Sequence, residues 1–147
     1  MSFKIRKARD SDLGVCTKIF VTEMNKQGEK WTLKTGRERL NGLMFLMKNR
    51  RGANFCLLLD GRVIGFIFNE ICVWGDGKQL YVSEFVIDSD FQGKGYGLKA
   101  LKFVESFAGK NKLNAITLLA YKKGKVLKLY RKFGAKPAGL ELFKKEI

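Results

Sequence analysis

The chain of 147 residues predicts an α/β domain built on one mixed, mostly antiparallel sheet. Hydrophobic periodicity alternates between the strand value of two and the helical value of 3.6 along its length. The resulting order is strand, helices, three strands, helix, strand, helix and a final strand pair. The three middle strands follow one another across short turns and read as an antiparallel meander. A single helix then joins two apolar strands, which makes one right-handed parallel crossover.

Phe3-Lys4-Ile5-Arg6 alternates apolar and polar residues and reads as the first strand. Asp10, Ser11 or Asp12 supplies a cap for a helix whose apolar positions are Leu13, Cys16, Ile19 and Phe20. Gln27-Gly28-Glu29 ends it, and residues 32–50 read as a second helix with Leu40, Leu43, Met44 and Met47 on one face. Residues 53–59 and 62–73 are apolar runs flanking Asp60-Gly61, a hairpin turn signal. Gly75-Asp76-Gly77 marks the next turn, and residues 79–87 form the strand after it. Residues 96–108 read as a helix closed by Gly109, 114–121 as a buried strand and 125–133 as a helix. The last strand pair is expected at 135–136 and 140–145, interrupted near Pro137 and Gly139. No repeat, low-complexity tract or linker divides the sequence, so one domain is expected over residues 1–147.

Between the fourth strand and the next helix stands Phe91-Gln92-Gly93-Lys94-Gly95-Tyr96-Gly97-Leu98. Glycines at alternate positions let the backbone turn tightly and leave its N–H groups uncovered by any Cβ. The helix that follows adds unpaired N–H groups and the positive end of its dipole. The combination is a cradle for a phosphate or diphosphate, with Gln92 and Lys94 as further donors. A Walker loop is excluded, because Gly97 is followed by Leu98 and Lys99 rather than Lys-Ser/Thr. The dinucleotide fingerprint fits poorly. Its glycine spacing differs, and residues 115–120 carry no acidic residue for a ribose.

Gln92, Gly95 and Gly97 instead satisfy Gln/Arg-x-x-Gly-x-Gly/Ala, which resembles the acyl-CoA-binding motif of the GCN5-related N-acetyltransferase (GNAT) superfamily. Phe85-Val86-Ile87-Asp88-Ser89-Asp90-Phe91 is similar to the family's strand leading into that loop. The run from Val126 to Ala135 resembles its second block, in which Tyr130 precedes Gly134 by four. Ile5-Arg6-Lys7-Ala8-Arg9-Asp10-Ser11-Asp12 is similar to the family's opening strand and helix start. The likeness thus runs in the family's order over nearly the whole chain.

This resemblance implies a GNAT-like fold with helices on both faces and a V-shaped splay between the fourth and fifth strands. It implies acetyl-CoA as cosubstrate, its pantetheine arm pairing with backbone at Phe85, Val86 and Ile87 in the manner of an added strand. Gln92, Gly93, Lys94, Gly95, Tyr96, Gly97 and Leu98 would hold its diphosphate. Lys123 stands about where the family often has an Asn that bonds the arm, and its ammonium could reach a CoA phosphate instead. Asp88 and Asp90, next to an anion site, are expected to face solvent as turn residues. The segment of the first two helices lies over the family's acceptor site, where Trp31, Phe45 and Met47 are candidates for its lining or for core.

Acetyl transfer to an amine needs a base for the amine, donors for the developing oxyanion and an acid for the leaving thiolate. The Val86 N–H is expected as a donor if its strand splays or bulges. Tyr130, by its place in the motif, is the candidate general acid; a Tyr packed with its hydroxyl at the surface is the alternative. Glu84 is the candidate base, directly or through water, because a carboxylate on an apolar central strand is costly without a purpose. Glu84 could equally bind a cationic acceptor or pair with a Lys. Simple alternation puts Ser83 on the opposite face from Glu84.

Composition narrows the chemistry. Histidine is absent, which removes Ser-His-Asp and Cys-His catalysis and makes a typical zinc site improbable. Cys16, Cys56 and Cys72 sit among apolar residues with no Cys-x-x-Cys pair. They read as buried reduced thiols of a cytoplasmic protein. Without a nucleophile near the cleft, direct transfer is expected rather than an acyl-enzyme. No apolar run is long enough to span a bilayer, so no membrane partner is expected. The 29 Lys and Arg against 14 Asp and Glu ask for an anionic partner, such as tRNA or an acidic protein, beyond CoA itself. A well-solvated Lys-rich surface is the plainer explanation.

The expected activity is an acetyl-CoA-dependent N-acetyltransferase acting on a primary amine: a small amine, a protein amine or an aminoacyl-tRNA. The alternative is a non-catalytic CoA-binding or RNA-binding module on the same scaffold. Monomer and homodimer both stay open.

Overall fold

A computed structural model describes residues 1–48, 53–74, 77–122 and 124–147. Lys123, Gly75 and Asp76 lie outside the described residues, as do the side chains of Phe45 and Met47. The strands are β1 (Phe3–Lys7), β2 (Asn54–Leu59), β3 (Arg62–Trp74), β4 (Gly77–Ile87) and β5 (Ala115–Thr117). The helices are α1 (Leu13–Lys26), α2 (Leu33–Lys48), α3 (Tyr96–Lys110) and α4 (Lys125–Phe133). The sheet order is β1-β2-β3-β4-β5, antiparallel throughout except for the parallel β4–β5 pair. No described helix is long and apolar enough to cross a membrane.

Two apolar layers hold this sheet. Phe55, Leu57, Ile67, Leu80 and Val82 pack toward Ala100, Leu101 and Val104 of α3. Cys56, Phe66, Phe68 and Val86 face Cys16, Phe20 and Leu40 of α1 and α2 on the other side. Strands covered on both faces need no polar side, which is why 53–59 reads as a continuous apolar run. The β2–β3 turn follows from its residues. Asp60 and Gly61 have φ of 49° and 82°, the two left-handed positions of a tight hairpin turn.

The expected final strand pair does not form: no residue from 134 to 147 is in a strand. Two residues at 135–136 close too few ladder bonds to repay ordering, and Pro137 has no N–H to donate. The fifth strand is also shorter than expected, three residues rather than eight. Asn114 still donates its N–H to the Lys78 carbonyl of β4, but from Leu118 onward the chain takes no ladder partner from β4.

Gly65 on β3 is the tightest point beside the end of β4. A Cβ there would lie 2.6 Å from the Val86 carbonyl oxygen and 3.1 Å from the Ile87 Cα, both backbone. Gly65→Ala should therefore cost about 1–3 kcal/mol in urea unfolding, as overpacking against rigid neighbours does.

Candidate active site

The site begins where β4 loses a neighbour. β5 pairs with Gln79, Leu80 and Tyr81 only, so among the described residues Val82 to Ile87 have β3 on one side and no strand on the other. Here the expected splay is present. A bulge at Ser83 coincides with it: Phe68 opposes Glu84 and Asn69 opposes Val82, leaving Ser83 as the extra residue.

The bulge reverses alternation along β4. Before it, the Lys78 carbonyl accepts from the Asn114 N–H at 2.9 Å, so even-numbered residues face β5. After it, the Asp88 N–H donates to the Ile64 carbonyl at 2.8 Å, so even-numbered residues face β3. The Val86 N–H accordingly turns toward β3, and Phe85 and Ile87 present their backbone groups to the splay. That corrects the expectation for Val86. Side chains reverse as well. Val82 and Phe85 both belong to the α3 layer, which leaves Ser83 and Glu84 together on the α1–α2 side rather than on opposite faces.

Several contacts fix the loop after β4. Gln92 Nε2 donates to the Ile87 carbonyl at 2.6 Å, so its amide nitrogen ties loop to strand instead of reaching outward. Asp88 Oδ1 accepts from the Asp90 N–H at 3.0 Å, and its other oxygen lies 3.9 Å from Arg62. Asp88 thus turns away from the cradle, and Asp90 is exposed. Glu23, buried on α1, accepts from the Ser89 N–H at 3.1 Å, and Lys26 donates to Ser89 Oγ at 2.6 Å. Gly93 and Gly95 take φ of 74° and 89°, a left-handed path that a side chain would strain.

The first bond of α3 runs from the Lys99 N–H to the Gly95 carbonyl at 3.2 Å. Tyr96, Gly97 and Leu98 therefore have N–H groups with no intrahelical acceptor. Gly97 serves a different purpose. A Cβ on it would meet Leu129 Cδ2 at 2.9 Å, so its absence lets α3 and α4 approach. The Lys94 ammonium lies 5.8 Å from the centre of the Phe91 ring beside the loop.

Tyr130 comes to the site from α4. Gly134, at φ 97°, donates to the Arg131 carbonyl and Ala135 donates to the Tyr130 carbonyl, each at 3.0 Å. This pair of bonds closes the helix, which explains a Gly four residues after the Tyr. Tyr130 is 8% exposed, and burial, with the charges of Glu84 and Tyr81 behind it, pushes its hydroxyl up to about 12. Glu84 is half-buried; burial raises its carboxyl, opposed by hydrogen bonds from Arg39 on α2. Arg39 Nε and Nη2 both donate to Glu84 Oε1, at 3.2 and 3.0 Å. Tyr81 is raised by burial too, and feels both Arg39 and Glu84.

Sequence reasoning missed Arg39 and Tyr81. Nothing in the pattern of α2 separates Arg39 from its other exposed cations. Trp31 packs edge-on against Phe20 and donates to Glu29 Oε1, so it supports α1. The Glu29 charge still reaches Glu84. Ser83 Oγ and Asn69 Oδ1 are buried beside the bulge without a hydrogen-bond partner among the described residues. Cys16 and Cys56 lie 3.8 Å apart in the α1-side core, fully buried, and Cys56 is held as a thiol by its neighbour and by burial.

Residues 16–135 match the family model described as the Acetyltransferase (GNAT) family. The chain belongs to that family. The GNAT fold is shared with a possible acetyltransferase from Clostridium difficile 630, at TM-score 0.84 and 16% identity, covering 100% of this chain and 99% of that one. A predicted acetyltransferase with acetyl-CoA from Clostridium acetobutylicum aligns at TM-score 0.76 and 17% identity, covering 98% and 96%. An aminoglycoside acetyltransferase from an uncultured soil metagenomic sample aligns at TM-score 0.74 and 16% identity, covering 99% and 97%. No curated protein sequence matches the chain at a significant level. GNAT acetyltransferases use acetyl-CoA, and the bare N–H groups of the Gly93–Gly97 turn with the unpaired edge of β4 fit that molecule.

Glu84 allows a test of the site's electrostatics. Its folded-state value lies above the ordinary 4.5, so the folded chain binds the proton more tightly than the unfolded chain. Its contribution to stability is present below 4.5 and is lost as pH rises through the folded value. Urea unfolding from pH 4 to 8 should show that decline flattened in Glu84→Gln. Arg39→Ala should move the Glu84 titration further up, read by carboxyl NMR.

Proposed function

We propose that the chain is an acetyl-CoA-dependent N-acetyltransferase that passes the acetyl group directly to a primary amine. One observation carries this reading. The unpaired edge of β4 runs into a turn of bare N–H groups, while a buried, protonated Tyr130 stands within electrostatic reach of Glu84. Acetyl-CoA, when bound, supplies the thioester and a thiolate leaving group. Everything else falls to the chain. The N–H groups from Gly93 to Leu98 would take the diphosphate, and Phe85 and Ile87 would pair with the pantetheine arm.

Glu84 is the base in this reading. Burial brings its carboxyl toward neutrality, and Arg39 occupies Oε1 and leaves Oε2 to accept a proton, directly or through water. Tyr130 is the acid, since a hydroxyl raised to about 12 is protonated at every working pH and can donate to a developing thiolate. The Cys16 and Cys56 thiols, fully buried against each other in the α1–α2 layer, offer no acyl-enzyme nucleophile. The acceptor is a small amine, a protein amine or an aminoacyl-tRNA, and the excess of cations favours one that is anionic or attached to an anion.

Release of CoA thiol, followed over a panel of amines, peptides and charged tRNAs, tests the reading. Tyr130→Phe should lower kcat by about 10²-fold or more while calorimetry finds acetyl-CoA affinity unchanged, as loss of a general acid predicts. A chain with no turnover on any acceptor, yet full affinity for acetyl-CoA, would instead be a binding module. Gly95→Glu should abolish acetyl-CoA binding, because it places a carboxylate in the cradle. In kcat/KM against pH, the acid limb should lie above 4.5 and no alkaline loss should appear below pH 10.

A further inference from the structure

Residues 106–140 contain nine Lys and Arg and not one Asp or Glu, although the chain has 14 acids. A generally Lys-rich surface would intersperse the two signs, so this segregation needs a cause of its own. Its centre is α4. Five of that helix's nine residues are exposed, and four of the five are Lys125, Lys128, Arg131 and Lys132. Leu129, Tyr130 and Phe133 turn the other way, into the α3-side core.

This arrangement works against the helix that carries it. Lys125 with Lys128, and Lys128 with both Arg131 and Lys132, are like charges one turn apart, which weakens a helix. Lys125 also stands in the first turn, where the positive end of the dipole repels a cation and no acidic residue offsets it. Among the described residues none of the four cations has a carboxylate within ion-pair distance. Nothing in the described fold relieves that repulsion, whereas an anion from outside the chain would.

The shape of the patch narrows the choice of anion. From Lys125 to Lys132 the helix rises about 10 Å, a length over which one nucleic-acid strand carries about three phosphates. Lys122 stands before the helix and Lys136 beyond it, both exposed. Next to Lys122, Tyr121 is 74% exposed, an aromatic face on which an unpaired base can stack. A bilayer fits less well, because the apolar side of α4 is already committed to the core and leaves nothing to insert. We propose that the outer face of α4, with Tyr121 and Lys122 ahead of it, binds single-stranded nucleic acid. The helix cations take successive phosphates and Tyr121 takes a base. Tyr130 points to the opposite side of the helix, so this surface is separate from the acetyl site.

Fluorescence anisotropy of a labelled 12-nucleotide RNA, and of the same sequence as DNA, tests this on the intact protein. Both should bind at 50 mM salt, and log Kobs should fall against log salt with a slope of about −3, as four neutralised phosphates predict. Lys128→Glu with Lys132→Glu should weaken binding at least 10-fold and make the slope shallower by about 1, with acetyl-CoA affinity unchanged. Tyr121→Ala should weaken it about 5-fold or more. Lys18→Glu with Lys34→Glu changes net charge equally, on α1 and α2, and should leave binding within 2-fold. Lys128→Glu alone should raise the urea midpoint at low salt, because three repulsive pairs become attractive, so lost binding is not lost fold. Failure of both strands to bind at 50 mM salt, equal losses in the two double variants, or a lower urea midpoint in Lys128→Glu would each overturn the proposal. So would tighter binding to phosphatidylserine vesicles or polyglutamate than to RNA. None of these readouts depends on turnover.

Discussion

A sheet strand with one edge unpaired carries N–H and C=O groups that cost free energy unless something satisfies them. In this protein β4 is anchored by β3 along its full length and released by β5 after Tyr81. Neighbouring contacts hold that arrangement against collapse. Gln92 caps the Ile87 carbonyl, Glu23 holds the Ser89 N–H, and the β3 ladder reaches Asp88 through the Ile64 carbonyl. The bulge at Ser83 then decides which groups face the opening. A regular strand would have presented Glu84 and Val86; the bulged one presents Phe85 and Ile87. The GNAT site therefore rests on an interruption of pairing at a single point.

Charge at that point follows from the same break. The strand change places Glu84 on the α1–α2 side, where Arg39 meets it, yet close enough to the splay for its charge to act on Tyr130. The Glu84 charge disfavours ionisation of the buried Tyr130 phenol, which stays a ready proton donor, while burial moves Glu84 itself toward neutrality as an acceptor. Arg39 limits the second effect. Without its two hydrogen bonds to Oε1, Glu84 would rise further and hold its own proton more tightly. Arg39 keeps this contact while itself half-exposed.

How much was legible in the sequence depended on how local each signal was. Asp60-Gly61, the glycine turn and the helix ending at Gly134 are written in residues whose backbone preferences are strong, and all three stand where expected. Periodicity recovered α4 to the residue and α3 to within two at its end. The bulge had no such mark. Ser83 is an ordinary strand residue, neither Gly nor Pro, so simple alternation put it on the opposite face from Glu84, and the Val86 N–H, expected at the opening if the strand bulged, turns toward β3 instead. Arg39 was illegible for another reason, since its partner lies 45 positions away in sequence. Residues 140–145 carried a true strand pattern, but a pattern only forms a strand where an edge accepts it, and the protomer brings none to it.

The far end of the sheet bears on the chemistry through α4. α4 has nine residues, too few to be stable as a helix on packing-free propensity alone. Its position is set by what it touches: Gly97 of α3 through Leu129 on one side, and an open groove beside β5 through Phe133 and Ala135 on the other. Tyr130 lies between these two contacts, and the Schellman bond from Ala135 ends on its own carbonyl. Leu129, Phe133 and Ala135 pack against the same α3-side core that buries Tyr130, so the packing that seats α4 also sets where the phenol stands.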